Sequence, residues 1–480
     1  MNKTDEGLSR AITKWDLVAL FVNVTVGAGI LRLPSDVQKA VGNYSLAAFV
    51  VCAAVIALIA LCFAEVGSRF SGTGGPYLYA RETFGPLAGF VVGWLMWLTR
   101  VAGFATLTQV FVAYLGYFWP AAQSGMPRII IISALVVLLT IINLIGVRES
   151  ARAGDIFTIS KLIPLLLFAA VGLFFVNASN FSLTARPSLG AFSGAVFVLI
   201  YVFSGFEAVL VNSGEVRQSQ RVIPFALLFG LGAAVLLCLF IQVVCIGTLP
   251  QLASSERPVA DAGRTFLGAI GPVIISVGAL IGILGTLNTV MLALTRLPFA
   301  MAVQGQLPGW LAQVHERFQT PYLSILVSAA TVLLLSLAGT FIYAVKVTVI
   351  TRVIVYLSTC LALPILRRRQ SKPTAFQLPG GFAISSVCVV LCLWLLAYSG
   401  FSEVRDVAIA LAVGLAAYAA TRLNRRGASR PLWLKAHYGS GVKMCTKIPS
   451  PPFSNCPCQR ATLTTPRTLI SPVTPSGSGS

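Results

Sequence analysis

The stretch Val26-Gly27-Ala28-Gly29-Ile30 lies in the middle of the first long apolar segment of this chain. Two glycines at a spacing of two weaken one helical turn, since each costs about 1 kcal/mol relative to alanine. Open peptide groups are tolerated in lipid only where they face protein or a water-filled cavity. The stretch therefore predicts a helix interrupted at a cavity, although glycines that pack closely against another helix would give the same pattern.

A second interruption is predicted at Phe203-Ser204-Gly205-Phe206-Glu207, within the sixth apolar segment. Interrupted helices at corresponding places of two inverted five-helix repeats are typical of transporters, where they mark the binding site. One half-helix offers free N–H groups and the other free carbonyls, so a zwitterion with a carboxylate and an ammonium fits between them. Two such interruptions, one with a carboxylate, favour a binding site over simple packing.

The composition is that of a membrane protein. Of the 480 residues, 56% are hydrophobic and 10% are charged, whereas soluble domains are about 25% charged. Spanning a bilayer takes about 20 mostly apolar residues. The pattern predicts an all-α polytopic protein with about twelve transmembrane helices, at 15–40, 44–68, 86–119, 128–146, 155–177, 190–213, 223–249, 269–300, 321–338, 341–364, 381–400 and 405–422.

These helices define the expected organisation of the chain. Residues 1–14 are expected to be a cytoplasmic N-terminus, 15–177 the first five-helix repeat and 190–364 the second, inverted repeat. Two additional helices follow at 381–422. Residues 436–480 are rich in Gly, Ser, Pro and Thr, so we expect a disordered tail or a non-native extension there.

The net charge of +20 follows the predicted topology. Lysine and arginine concentrate in alternate loops, which predicts both termini in the cytoplasm. The chain has no basic, aromatic-studded domain, so we do not expect it to bind nucleic acid. The segment before the first apolar run is polar, so no cleavable signal peptide is expected. The short loops favour a bacterial inner membrane.

The cysteines are expected to be structural. Seven of the ten lie in apolar segments, where cysteine behaves as a small hydrophobe. The two histidines, His315 and His437, flank no cysteine pair, so we expect no metal site and no cofactor. An enzyme would need a nucleophile with a base, or paired carboxylates, at one membrane face. A channel would need a pore loop or a charged ring. We find neither pattern.

Several motifs follow one another along the chain: Gly27-Ala28-Gly29-Ile30 with Leu33-Pro34, Glu65, Thr73-Gly74-Gly75-Pro76-Tyr77, Ser204-Gly205-Phe206-Glu207, Gly214-Glu215-Val216 and Ile223-Pro224. In this order they resemble the amino acid–polyamine–organocation (APC) superfamily of permeases, over about residues 10–425. The resemblance implies the LeuT-like fold with helices 1 and 6 broken. It also implies transport of amino acids by proton symport or by exchange.

The resemblance assigns substrate-binding roles to both interruptions and to the third helix. Amides at 27–29 would hold the substrate carboxylate, and carbonyls near 24–26 and 203–205 its ammonium. A phenylalanine at 203 or 206 would cover the substrate as a thin gate, and two third-helix residues would contact its side chain. The implied substrate-binding residues are Val26, Gly27, Ala28, Gly29, Thr99, Arg100, Phe203, Ser204, Gly205, Phe206 and Glu207.

Lys161 lies about one-third of the way into the fifth apolar segment. A charge at the bilayer centre costs at least about 2.5–3.5 kcal/mol on insertion scales, so the residue is a functional candidate. In a subset of the resembled family, a fifth-helix lysine replaces a sodium ion and bridges helices one and eight. The resemblance therefore implies proton coupling through Lys161, with Thr286 and Asn288 as neighbours in the eighth helix. A lysine that snorkels to the cytoplasmic surface is the alternative.

Four further charges leave alternatives open. Glu207 would bind a cationic substrate group or pair with Arg100. Arg32 stands where family members carry a small or apolar residue, and would favour anionic substrates, pair with an acidic residue or snorkel outward. For Lys346 and Arg352 we expect at least one side chain to face the outer vestibule.

Glu65, Arg69 and Arg81 flank the loop after the second helix, and Arg148 and Glu149 follow the fourth. They would form ion pairs of a cytoplasmic gate, or serve only as orientation charges.

The residues and the resemblance together predict a secondary active amino acid transporter, with proton symport by alternating access as the leading hypothesis. Exchange is the alternative, and a channel or sensor is less favoured. The expected partners are an amino acid, protons and the lipid bilayer, and the expected state is a monomer or a homodimer.

Overall fold

The computed structural model describes residues 14–70, 74–146, 151–182, 186–207, 210, 219–369 and 376–427. Within these ranges the regular elements are helices, and none of the described residues lies in a strand. Seven helices of this described part are long and apolar enough to cross a membrane, and four shorter apolar helices accompany them. The prediction of an all-α polytopic membrane protein is confirmed, while twelve spans and an inverted repeat stay predictions.

The α-helices of the described residues are labelled in chain order. They are α1 (Lys14–Thr25), α2 (Ala28–Val41), α3 (Ser45–Ser68), α4 (Pro76–Phe84), α5 (Pro86–Leu115), α6 (Gly125–Ile145), α7 (Ala151–Gly172), α8 (Leu189–Phe203), α9 (Ser219–Thr248), α10 (Pro258–Leu267), α11 (Ile270–Val303), α12 (Tyr322–Ala338), α13 (Phe341–Arg369), α14 (Gly381–Ala397) and α15 (Phe401–Gly427). Short 3₁₀ helices lie at Gly42–Tyr44, Pro120–Gln123, Leu173–Phe175, Ala178–Phe181, Leu252–Ser254 and Gly309–Ala312.

Several helix ends differ from those predicted. The sequence predicts a third helix that ends at 119, but α5 ends at Leu115. The aromatic residues after Leu115 lie in turns that lead to Pro120, and apolar character alone does not separate a turn from a helix. The tenth predicted helix ends at Pro364, but α13 continues through this proline to Arg369. In these last turns the side chain of Arg367 is bound by the buried carboxylate of Glu65.

Two helices, α4 and α10, were not predicted. Each begins with proline at its first position, where the missing N–H costs nothing. Both are too short to cross a bilayer, so a search for long apolar segments passes over them.

The first apolar segment is interrupted, because α1 ends at Thr25 and α2 begins at Ala28. The sixth apolar segment is also interrupted. Its helix α8 ends at Phe203, and Ser204 and Gly205 are not helical. Gly205 has a φ of 114°, which L side chains rarely adopt. The backbone therefore leaves the helical path at both places.

Gly29 is a packing glycine beside the first interruption. A Cβ added there would lie 2.9 Å from Tyr201 Cδ1 and 3.2 Å from Val202 Cα. This close approach joins α2 to the last turn of α8. Both predictions for the glycines of this motif therefore apply. The helix is interrupted between α1 and α2, and Gly29 packs tightly against α8.

Glu65 is a fully buried carboxylate near the end of α3. Its oxygens accept hydrogen bonds from Arg69 at 2.7 Å, from Arg367 Nε at 2.8 Å and from a second nitrogen of Arg367 at 2.6 Å. The backbone N–H of Leu378 donates to it at 2.9 Å. These contacts tie α3 to α13 and to the segment before α14. Ion pairing is thus the role observed for Glu65.

Arg81 has no ion pair among the described residues, so it takes no part in this cluster. The predicted residues Arg148 and Glu149 lie outside the described residues.

The variant Glu65→Ala should destabilise the protein, because it leaves the guanidinium of Arg367 without its carboxylate. Removing one partner of a buried ion pair costs about 3–5 kcal/mol. Thermal unfolding of the detergent-solubilised protein should show a clearly lower midpoint than wild type. Glu82→Ala, at an exposed position of α4, is the matched control. Equal midpoints for the two variants would contradict a stabilising cluster.

Candidate functional site

A cavity of about 240 Å³ lies beside the second interruption, bounded by α1, α5, α7, α11 and α13. Each of these helices contributes one stripe of its surface. Its lining consists of Asn23, Met96, Thr99, Arg100, Phe157, Lys161, Gly205, Glu207, Gly282, Gly285, Thr286, Thr289, Val290, Ala293, Arg352 and Val355.

The spacing of the lining residues follows the helical repeat. On α5 the residues Met96, Thr99 and Arg100 stand at intervals of three and four, so they share one face. The Thr99 hydroxyl lies within hydrogen-bond distance of both the Leu95 carbonyl and the hydroxyl of Thr351 in α13, at 2.8 Å from each. Thr99 is therefore held by its own helix and its neighbour, while Arg100 beside it extends into the cavity lining.

Lys161 is buried and does not reach out to a surface. Its side chain is 8% exposed, and Nζ donates to the backbone carbonyl of Asn23 at 2.5 Å. Asn23 lies two residues before the end of α1. The amine therefore connects α7 to the helix that stops at the first interruption.

The neighbouring helix α11 approaches Lys161 through a glycine. A Cβ added to Gly282 would lie 2.5 Å from the Cβ of Lys161. Gly278 and Gly285, one turn to either side, likewise leave no room for a side chain against α7. This run of glycines lets α11 lie directly against α7, so Lys161 packs against the backbone of α11.

The two eighth-helix residues predicted beside Lys161 have different surroundings. Thr286 lines the cavity, and its hydroxyl donates to the Gly282 carbonyl of its own helix at 2.8 Å. Asn288 accepts a bond of 3.4 Å from Asn143 of α6 and is not part of the lining.

Glu207 pairs with Arg352 of α13. Arg352 Nε lies 2.9 Å from Glu207 Oε1, while Tyr356 and the N–H of Gly205 each donate to Oε2 at 3.1 Å. Glu207 therefore forms an internal ion pair, one of the two alternatives left open for it, but its partner is Arg352 and not Arg100. The reason is tertiary: Arg352 and Tyr356, four residues apart on one face of α13, both face the second interruption.

Arg352 also contacts the hydroxyl of Ser204. This arginine was named from the sequence but given no role, because spacing within one helix cannot show which helix lies opposite. Lys346, the other unexplained cation, pairs with Glu403 of α15 at 3.0 Å.

Five of the predicted site residues line the cavity together: Thr99, Arg100, Lys161, Gly205 and Glu207. The others stand outside this lining, namely Val26, Gly27, Ala28, Gly29, Phe203, Ser204 and Phe206. The start of α2 carries no side-chain cap, so its first amides receive no help from a neighbouring side chain. Their predicted role toward a carboxylate stays a prediction.

Phe206 is completely buried in an aromatic cluster. Its ring stacks on Tyr356 with centroids 5.1 Å apart and meets Phe63 edge-on at 5.2 Å. Phe203 is equally buried and meets Phe49 edge-on at 6.0 Å. In this arrangement neither ring faces the cavity, and the predicted gate stays a prediction.

Arg32 pairs with an acidic residue, one of the three alternatives that its position left open. Its Nε lies 3.4 Å from Asp36, and a terminal nitrogen donates to the Glu256 carbonyl at 2.9 Å. These contacts are local to α2 and the segment before α10, in a separate pocket of about 130 Å³.

Three buried cysteines converge at a place that shares no residue with the cavity lining. The Sγ atoms of Cys62, Cys360 and Cys388 lie within 4.8 Å of one another, and that of Cys62 is 3.7 Å from that of Cys388. The three come from α3, α13 and α14, so no sequence spacing announces them. Their thiols contact one another at the junction of these three helices.

Gly282→Ala should destabilise the protein, because the new methyl group would push α11 away from Lys161. The matched control is Gly232→Ala on α9, where nothing lies within 4 Å of the added Cβ. There alanine should be neutral or slightly stabilising, since it favours a helix by about 1 kcal/mol over glycine. Thermal unfolding should give Gly282→Ala a midpoint below that of wild type and Gly232→Ala a midpoint equal to or slightly above it. A Gly282→Ala midpoint at or above that of Gly232→Ala would contradict the close packing.

Comparison with known proteins shows that the sequence of this chain is similar to those of transporters. A family model described as amino acid permease matches residues 12–418. The branched-chain amino acid permease BcaP of Bacillus subtilis (strain 168) is 26% identical over 437 residues, covering 86% of this chain and 93% of BcaP.

Two further similar proteins come from the same organism. The methylthioribose transporter is 28% identical over 410 residues, covering 81% of this chain and 88% of that protein. The serine/threonine exchanger SteT is 26% identical over 426 residues, covering 87% of this chain and 97% of SteT.

Proposed function

Because this chain belongs to the amino acid permease family, we propose that it carries an amino acid across a membrane by proton symport, with alternating access to the cavity beside the second interruption. The class itself is established: the chain is a multi-pass membrane transporter and not an enzyme. The proposal adds the coupling ion and the site.

The observation that supports proton coupling most strongly is the bond from Lys161 Nζ to the carbonyl of Asn23. A charged ammonium makes a stronger hydrogen bond to a carbonyl than a neutral amine does. Loss of the proton would therefore weaken the link between α7 and α1, and its return would restore it. A ligand shifts a conformational equilibrium only through such a difference in interaction between two states. The proton on Lys161 supplies this difference.

The cavity size supports a small substrate. Pockets for drug-sized ligands have volumes of about 300–1000 Å³, whereas this cavity has about 240 Å³. Under this proposal, backbone groups around Gly205, which lines the cavity, bind one charge of a zwitterion, and the uncapped start of α2, which lies outside the present lining, binds the other. An amino acid fits both the size and the charges.

Exchange is the second candidate, favoured by the similarity to SteT, which is named as an exchanger. Under exchange, outward movement of one amino acid would drive inward movement of another. The distribution of lysine and arginine supports both termini in the cytoplasm, and the three similar proteins named above are bacterial. We propose a bacterial inner membrane and a monomer or homodimer.

Lys161→Ala should abolish the dependence of uptake on an inward proton gradient. In proteoliposomes, wild-type uptake of the transported amino acid should rise when the outside is made acidic, and the variant's uptake should not. Counterflow without a gradient should persist in the variant, showing that it is folded. Lys39→Ala, at an exposed position of α2, is the control and should behave as wild type. Proton-driven accumulation by Lys161→Ala at the wild-type level would remove this proposal.

Symport and exchange differ in what the inside of the vesicle must contain. Under symport, empty proteoliposomes with an inward proton gradient should accumulate labelled amino acid above the outside concentration. Under exchange, uptake should require unlabelled amino acid inside and should not respond to the gradient. Uptake only into preloaded vesicles would therefore replace symport with the second candidate.

A further inference from the structure

The cavity lining carries more positive than negative charge. Among the described residues that line it, Arg100, Lys161 and Arg352 are basic and Glu207 alone is acidic. Glu207 and Arg352 neutralise each other at 2.9 Å. The ammonium of Lys161 is bonded to a backbone carbonyl. One guanidinium, that of Arg100, is left over.

Arg100 is held by no hydrogen bond or ion pair within the described part of the chain, although the carboxylate of Glu207 is near enough to attract it. By contrast, Arg352 pairs with Glu207 and Arg367 with Glu65. A charge inside the membrane is costly unless it is paired, so such a group marks a functional position. The missing partner of Arg100 is best supplied from the cavity.

Glu207 is not free to act as a counter-site for a cation. Its two carboxylate oxygens already receive Arg352, Tyr356 and the N–H of Gly205. A substrate with a cationic side chain would therefore meet Arg100 and Arg352 without an available carboxylate. A substrate with a neutral side chain would leave Arg100 unpaired.

From these charges we infer that the transported substrate is an amino acid with a second carboxylate, of the aspartate and glutamate class, and that Arg100 binds the side-chain carboxylate. This inference rests on the function proposed above. A guanidinium binds a carboxylate through two parallel N–H···O bonds, which a neutral amide of the same shape cannot match. The substrate's α-carboxylate and α-ammonium remain available for the backbone groups of the interruptions. Arg100 is thus the residue that sets the side-chain specificity.

The test compares acids with amides of the same shape. In proteoliposomes with wild-type protein, L-aspartate or L-glutamate should compete for uptake at concentrations at least about tenfold lower than L-asparagine or L-glutamine. This is the ratio expected for one charge-assisted contact of about 1.5 kcal/mol or more. Arg100→Gln should remove the preference, and Arg100→Lys should keep part of it. Arg405→Gln, whose side chain is 58% exposed, should leave the preference unchanged.

The outcomes separate the two proposals. If amides compete as well as acids against wild-type uptake, the acidic class is wrong while amino acid transport stands. If Arg100→Gln lowers the uptake of acids and amides by the same factor, the residue binds a group common to all amino acids, and its specificity role is wrong. If none of the twenty amino acids is transported or competes, the proposed function fails together with this inference. The competition profile of wild type needs no variant, so misfolding of Arg100→Gln would not obscure it.

Discussion

Peptide groups in a bilayer must find hydrogen-bond partners within the protein, and this constraint governs where the chain can leave the helical path. The described part leaves it between α1 and α2, and again after α8. At both places the surroundings are protein or cavity. Gly29 packs against the last turn of α8, and Gly205 lines the cavity with Glu207. The same need for hydrogen-bond partners that makes the rest of the fold helical therefore restricts these two interruptions to places enclosed by protein or beside the cavity.

The buried charges are satisfied across helices more often than within one. Glu65 joins α3 to α13, Glu207 joins the second interruption to α13, and Lys161 joins α7 to α1. Each bond crosses between elements far apart in sequence, so each ties two such elements together. Helix α13 takes part in two of these links through Arg352 and Arg367. Through Arg352 it therefore contacts the second interruption beside the cavity, and through Arg367 it contacts the end of α3.

Loss or gain of a proton at Lys161 and binding of a substrate beside it would both take place at the same cavity. The lysine touches α1 through a carbonyl and α11 through Gly282, while Arg100 and Glu207 stand around the same cavity. Under the proposed function, the proton acts on the first interruption and the substrate side chain on α5. Coupling then requires no long pathway, because both ligands contact helices that bound one cavity.

The sequence by itself determined the membrane class, the places of most helices and both interruptions. These depend on local properties: long apolar runs, and glycines that weaken a helical turn wherever they stand. It also singled out Lys161, Arg100 and Glu207, because charges in apolar segments are rare. Only the tertiary structure decided the partners, since Glu207 pairs with Arg352, whereas the sequence left a cationic substrate group or Arg100 as its alternatives. The convergence of three cysteines and the burial of Phe206 were likewise decided by tertiary packing. Such contacts depend on which helices lie side by side, and a one-dimensional pattern of residues does not contain that information.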